Sequence, residues 1–281
     1  MKTLLPFYFL LKNLFAGCHE EIKYTGFHRD HVHKIERVFN IDTLVKESSG
    51  LAYEDGVFWT LGDSGTKPEL YGLDSTGKCI DSITHPALKN VDWEELAIDR
   101  QKKTFFIADV GNNGNRRKDL AIYTIGKTGD VKKIPVSYAL QKEFPPNKKL
   151  RNYDCEAMVF SNDSLFLFSK NRGLPLINWY GLPAEGIQIP LIPGKQTFLK
   201  GMITGAAFHE ASGQLVLLAY GKLYWFKVEH GNILQAKPWL IRKIPFHGQT
   251  EALCFDDKGM LYFSNEKGKC WKVIEKNKNK Y

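Results

Sequence analysis

Apolar positions along this chain fall into short runs bounded by turn residues, not into helical stripes. The stretch "NYDCEAMVFSNDSLFLFSKN", from Asn152 to Asn171, shows the pattern: a polar entry, a short apolar run, a turn, then a run rich in Phe and Leu. It recurs as "SSGLAYEDGVFWTLGDSG" from Ser48, "EELAIDRQKKTFFIADVG" from Glu94, "TGAAFHEASGQLVLLAYG" from Thr204 and "TEALCFDDKGMLYFSNEKG" from Thr250. The aligned cores start at Ser49, Glu94, Cys155, Thr204 and Thr250, at intervals of 45, 61, 49 and 46 residues. A period of this size with strand–turn–strand content marks propeller blades.

Each unit reads alike. A first strand ends at a turn such as Glu54-Asp55-Gly56, Ser161-Asn162-Asp163 or Asp257-Lys258-Gly259. A second strand follows, then a third carrying an aromatic, as in "ELYGLD" or "LYWFKV", then a more polar fourth such as "KIPVSYAL". Continuous apolar runs in the first two strands suit burial on both faces, as stacked blades require. The last repeat stops after its third strand, near Ile274, while "HKIERVFNI" (33–41) precedes the first repeat. That segment is expected to supply the missing outer strand and remove a free edge. The expected fold class is therefore all-β: a five-bladed β-propeller closed by an N-terminal strand in its last blade. A six-bladed ring, with a degenerate blade inside the 61-residue interval or in residues 19–47, is the alternative.

First strands line the channel of a propeller. The second residue of each core is Gly50, Glu95, Glu156, Gly205 or Glu251, so three carboxylates point at one mouth. The ends of the second strands reach the same face and add Asp63, Asp109, Lys170, Asn171, Arg172, Tyr220, Asn265 and Glu266. Asp92, Trp93, Glu94 and Asp154, just before first strands, join them. Like charges in partial desolvation raise one another's pKa unless something intervenes. Three remedies stand side by side: backbone N–H groups of the next blade, a Ca²⁺ ion bound by oxygens, or Lys170 and Arg172 as counter-ions. The candidate metal ligands are Glu95, Glu156, Glu251, Asp63 and Asp109. The candidate ligand-binding residues are Lys170, Asn171, Arg172, Asn265 and Glu266.

The N-terminus changes the setting. "MKTLLPFYFLLKNLFAGC" has a basic start, a short apolar run and small residues before Cys18, which resembles the lipobox of bacterial lipoproteins. Residues 1–17 are expected as a signal peptide, with lipid on Cys18. Residues 18–32 form a tether, 33–276 a single propeller domain and 277–281 a basic tail. The protein is expected to be exported and anchored by lipid at the outer membrane or cell surface, with a periplasmic location as the alternative. No apolar stretch is long enough for a spanning helix.

Net charge is +8, spread over short clusters such as Arg116-Arg117-Lys118 and Lys132-Lys133. These read as solvated loops. No stripe of basic and aromatic residues supports nucleic-acid binding. The expected partners are an envelope protein or an anionic small molecule or glycan, with the chain a monomer. Cys79, Cys155, Cys254 and Cys270 contain no C-x-x-C pair, which argues against zinc. Cys254 and Cys270 fall on first and third strands, about 10 Å apart and beyond disulfide reach, so buried thiols are expected. "DVGNNGN" lacks a following helix and reads as a tight loop, and no Gly-x-Ser-x-Gly elbow is present.

"SGLAYEDGVFWTLGDSG", "DWEELAIDRQKKTFFIADVGNNGNRR", "YDCEAMVF" and "TEALCFDDKGMLYFSNE" resemble the SdiA-regulated and phytase-like β-propellers of exported bacterial proteins, over most of residues 45–270. The order of blade starts is also similar to that of five-bladed calcium-activated nucleotidases. The resemblance implies Ca²⁺ held by Asp63, Glu95, Asp109, Glu156, Glu251 and Glu266, with Lys170 and Arg172 meeting phosphate. A complete catalytic set is not matched. A binding or scaffold module of the cell envelope is the first functional reading, and a Ca²⁺-dependent phosphoesterase is the alternative.

Overall fold

The computed structural model describes residues 26–29, 33–126, 129–186, 189–245 and 247–275. They form 22 strands in five sheets arranged as the five blades of a β-propeller. Blade 1 contains β3 (Ser48–Glu54), β4 (Val57–Gly62), β5 (Glu69–Leu73) and β6 (Cys79–Thr84). Blade 2 contains β7 (Glu95–Asp99), β8 (Thr104–Asp109), β9 (Ala121–Gly126) and β10 (Val131–Tyr138). Blade 3 contains β11 (Cys155–Ser161), β12 (Ser164–Ser169), β13 (Leu176–Pro183) and β15 (Pro193–Phe198). The short β14 (Ile189–Leu191) crosses from it to run parallel beside β10. Blade 4 contains β16 (Ile203–His209), β17 (Gln214–Ala219), β18 (Lys222–Lys227) and β19 (Lys237–Lys243). Blade 5 contains β20 (Thr250–Phe255), β21 (Leu261–Asn265) and β22 (Lys269–Glu275).

The outer strand of blade 5 is β2 (His33–Asn40), antiparallel to β22 from His33 opposite Glu275 to Asn40 opposite Lys269. The expected N-terminal closure is therefore present, and the ring has five blades. Residues 139–154, which lengthen one repeat interval, form a connection with a single 3-10 turn at Lys148–Leu150, not a further blade. Residues 26–29, inside the stretch expected as a tether, lie on blade 4. There β1 (His28–Arg29) pairs with Leu240 and Ile241, and Phe27 packs edge-on against Tyr224 and Phe226. The signal peptide, Cys18 and the basic tail lie outside the described residues.

Five apolar clusters hold the ring, one at each blade–blade interface. The continuous apolar runs fit: Leu215, Val216, Leu217, Leu218 and Ala219 of β17 are all wholly buried, because both faces meet a neighbouring blade. Turns on the far face are tight. Asn162-Asp163 and Asp55-Gly56 have positive φ, as two-residue hairpin turns matching strand twist require. Cys79, Cys155, Cys254 and Cys270 are free thiols, the last three buried. Among the described residues no helix is long and apolar enough to cross a membrane.

First strands descend from one face, so that face collects the connections entering them and the loops leaving the second strands. In blades 1, 3, 4 and 5 the pairing of the first strand slips within its first four residues. A bulge there re-aims side chains at the mouth.

Candidate functional site at the channel mouth

The three glutamates at the second core position have different surroundings. Glu95 is 0% exposed and lies across the channel. Its Oε1 accepts from Leu96 N–H (3.0 Å) and its Oε2 from Ala206 N–H of blade 4 (3.1 Å), with the Leu51 N–H of blade 1 a third donor. Burial pushes its carboxyl well above the usual range while these donors pull it back. Gly50, the equivalent position in blade 1, is glycine because a Cβ there would stand 2.6 Å from Leu96 N. Glu95 thus pins three first strands together and is no open metal ligand.

Glu156 is met by cations. Its Oε2 accepts from Lys170 Nζ and its Oε1 from Arg172 Nη2 (3.1 Å), while Arg172 Nε donates to Asp154 Oδ2 (2.6 Å). Asp154 Oδ1 also accepts from Asn112 N–H at 2.7 Å. Lys170 Nζ bonds Tyr220 Oη (3.2 Å), whose hydroxyl donates to Glu251 Oε1 (2.8 Å). Burial acts to lower the Lys170 ammonium, but Glu156 and Glu251 outweigh it and hold it above its ordinary value. Burial raises Glu156, Asp154 adds to the rise, and Lys170 opposes it. Glu251 is pushed up to about 7, chiefly by burial, against the pull of Lys170 and Tyr220.

A third group has no such partner. One carboxylate oxygen each from Asp63, Asp92 and Glu94 lie within 4.8 Å of one another, and Glu94 belongs equally to a second such group with Asp154 and Glu156. Glu94 is only 5% exposed, and its carboxylate has no hydrogen-bond partner among the described residues. Burial raises its pKa well above the usual range, followed by the charges of Glu156, Asp154, Asp63 and Asp92. Asp92 is pushed up to about 6 by burial and then by Asp63, and Asp63 is raised by burial. No Lys, Arg or His among the described residues forms an ion pair with Asp63, Asp92 or Glu94. The wall behind them is Gly111: a Cβ there would come 2.2 Å from Glu94 Oε1 and 2.5 Å from Asp92 Oδ2.

The other sequence candidates separate as follows. Asp63 and Glu156 fall into the two carboxylate groups; Glu95, Glu251 and Asp109 do not. Asp109 is occupied by Arg117 Nη2 (3.0 Å) and by Asp92 N–H (2.9 Å). Asn171 is buried, and its Oδ1 has no partner. Asn265 shapes its loop, accepting from Lys269 N–H at 2.9 Å and donating to His247 O. Glu266 accepts from Gln249. "DVGNNGN" is the expected tight loop: Asn112 Oδ1 accepts from Arg116 and Arg117 N–H at 2.8 and 2.9 Å. Trp93 and Trp179 are wholly buried packing residues.

Asp92, Glu94 and Asp154 were placed on this face by sequence but not singled out. A signal for Glu94 was present. At the first core position the other blades carry Ser49, Cys155, Thr204 and Thr250. Ser49 Oγ donates to Glu94 O (2.8 Å) and Thr204 Oγ1 to Thr250 O (2.6 Å), stitching each blade to a neighbour. An ionised glutamate has no proton for that stitch.

No protein-family model matches the chain, and no curated protein matches it. Among solved structures it is similar to a gluconolactonase from Xanthomonas campestris, with 13% identity over 86% of this chain and 90% of that one, at a TM-score of 0.50. A streptogramin B lyase shares 13% identity over 87% of this chain and 98% of that one, at a TM-score of 0.44. A chain of a nidogen/laminin complex shares 16% identity over 79% of this chain and 73% of that one, at a TM-score of 0.49. At these identities the likeness is one of fold: the neighbours are β-propeller proteins.

Proposed function

We propose that this protein is a binding module of the bacterial cell envelope whose channel mouth holds a Ca²⁺ ion on Asp63, Asp92 and Glu94. The observation that carries the reading is Glu94, a 5%-exposed residue whose carboxylate receives no hydrogen bond among the described residues and converges with two others that form no ion pair. The donors are all hard oxygens, without His or Cys, which suits Ca²⁺ over transition metals. Ca²⁺ takes about 6–8 oxygens, so three carboxylates leave positions for water or for the oxygens of an anionic ligand. Arg172 and Lys170 line the same mouth and would favour such an anion. The apolar N-terminal run before Cys18 supports export and lipid anchoring, and labelled palmitate incorporation lost in Cys18→Ala tests that part.

The test of the site is a thermal melt of the metal-stripped protein with and without Ca²⁺. A ligand that binds only the native state raises the midpoint by mass action, about 2.7 kcal/mol at a hundredfold excess over Kd. The expected rise disappears in Glu94→Gln and persists in Asp109→Asn. A wild-type midpoint indifferent to Ca²⁺ removes the reading.

A second reading, a Ca²⁺-dependent phosphoesterase, is favoured by Glu251. Its carboxyl, held near neutrality beside Lys170, has the pKa suited to a general base. It predicts turnover across a phosphoester panel with Ca²⁺ that falls sharply in Glu251→Gln. No turnover in the wild type disposes of it.

A further inference from the structure

The mouth face is not acidic throughout. In blade 4, Lys222 opens β18 and stands directly opposite Lys243 at the end of β19. Like charges placed opposite each other across a strand pair are unfavourable, and no carboxylate intervenes. Lys222 Nζ reaches Lys200 O at 3.4 Å, so the third lysine comes from the connection entering the same blade. Tyr224 Oη fixes that connection by donating to Lys200 O at 2.6 Å. Lys222 and Lys200 are half-buried and Lys243 is exposed. Among the described residues none of the three forms an ion pair, whereas Lys102, Lys103, Lys170 and Lys237 all do. Burial lowers the Lys222 ammonium, and Lys200 and Lys243 lower it further. Lys222 thus stands beside two further lysines with no carboxylate paired to any of the three, an arrangement that an anion would relieve.

Their position gives the cluster a use. Lys222 follows Tyr220 and Gly221, and the Tyr220 hydroxyl is already bonded to Lys170 and Glu251 of the mouth. The third strand of a blade lies about 10 Å from its channel-lining strand. We propose that Lys200, Lys222 and Lys243 form an anion subsite, and that the mouth face takes a small soluble molecule carrying a phosphate or similar dianionic group. The lysines hold that group on blade 4 while the rest of the molecule extends toward the channel. This inference stands apart from the Ca²⁺ reading, since the three lysines touch none of the carboxylates proposed for the ion.

The experiment is calorimetric titration of the metal-free protein with inorganic pyrophosphate at low ionic strength. The wild type is expected to bind at one site, and Lys222→Gln or Lys243→Gln to weaken binding about tenfold or more, the loss of one charge-assisted contact. Lys237→Gln, which removes an exposed lysine paired with Glu229, is expected to bind as the wild type does. Lys243 is exposed, so its variant keeps the test open if Lys222→Gln folds poorly. Absence of binding overturns the proposal, as does equal weakening in Lys237→Gln, which marks diffuse attraction to a basic surface. Co-sedimentation with phosphatidylglycerol vesicles without binding of soluble pyrophosphate overturns it in favour of a lipid headgroup. Because Ca²⁺ is absent throughout, failure here leaves the melt with Ca²⁺ unaffected.

Discussion

Glu94 and Glu95 are adjacent in the chain and both are buried, yet they belong to two different regions. Glu95 lies in the channel, where backbone N–H groups of three blades converge on it. Glu94 lies at the mouth, where its carboxylate converges with those of Asp63, Asp92, Asp154 and Glu156. A buried charge is tolerated only when it is paired or hydrogen-bonded. The channel meets that demand from within the fold. The mouth meets it for Glu156, through Lys170 and Arg172, and leaves it unmet for Glu94. What separates these carboxylates is whether the fold itself supplies the compensation.

The largest effect is expected from breaking the channel side of the comparison. Glu95→Ala strands buried N–H donors on blades 1, 2 and 4, and leaving such groups unmade costs about 1–3 kcal/mol each. The variant is expected to unfold at markedly lower urea or not to accumulate. Survival with wild-type stability would mean that the three strands do not depend on the carboxylate.

Lys170→Met comes next. Removing one partner of a buried ion pair costs about 3–5 kcal/mol; Arg172 still contacts Glu156, so the lower end is expected. Urea unfolding gives the number. A loss under about 1 kcal/mol, the range of exposed pairs, would show that the network is not the counterweight it looks.

On the mouth side the sign reverses. Glu94→Gln removes one of several repelling carboxylates, and each pKa unit of relief is about 1.4 kcal/mol. The metal-free variant is expected to melt above the metal-free wild type and to gain nothing from Ca²⁺. A lower midpoint in the absence of metal would move Glu94 into the structural class with Glu95.

The smallest effect is a slope with pH. Burial, and then the charge of Asp63, push the Asp92 carboxyl up to about 6, against an ordinary value of 3.8. Between those values the folded protein holds a proton that the unfolded chain has lost, so stability falls as pH rises across that window. Metal-free protein is therefore expected to be more stable at pH 4.5 than at pH 6.5 as far as this group is concerned. Ca²⁺ needs the ionised form, so its affinity should drop as pH falls through about 6, read by Ca²⁺ titration at both pH values. An affinity independent of pH would exclude Asp92 as a ligand.

The ring was readable because a propeller repeats its hairpin. Five matching starts and one missing outer strand gave the blade number and its closure from residue types alone. The mouth was readable as a face, since strand direction decides which ends share it. Which carboxylate is compensated was not readable, because the partners come from loops of unequal length and, for Glu95, from a strand across the channel. Arg172 leaves β12 to reach Asp154, Arg117 folds back onto Asp109, and Ala206 approaches Glu95 from across the channel. The period treats Glu95, Glu156 and Glu251 as equivalents; only the irregular parts distinguish them. Glu94 was legible as the one charged residue at a position otherwise filled by Ser, Thr and Cys.

The pairing of β2 with β22 also orders events in time. β2, made near the start of the chain, has for its partner β22, the last strand among the described residues. Until synthesis reaches Glu275, residues 33–40 carry an unsatisfied strand edge, the kind of surface that joins the wrong chain. Contacts this distant in sequence slow folding. The seam that closes the finished ring leaves the nascent chain with an open strand edge until β22 is made.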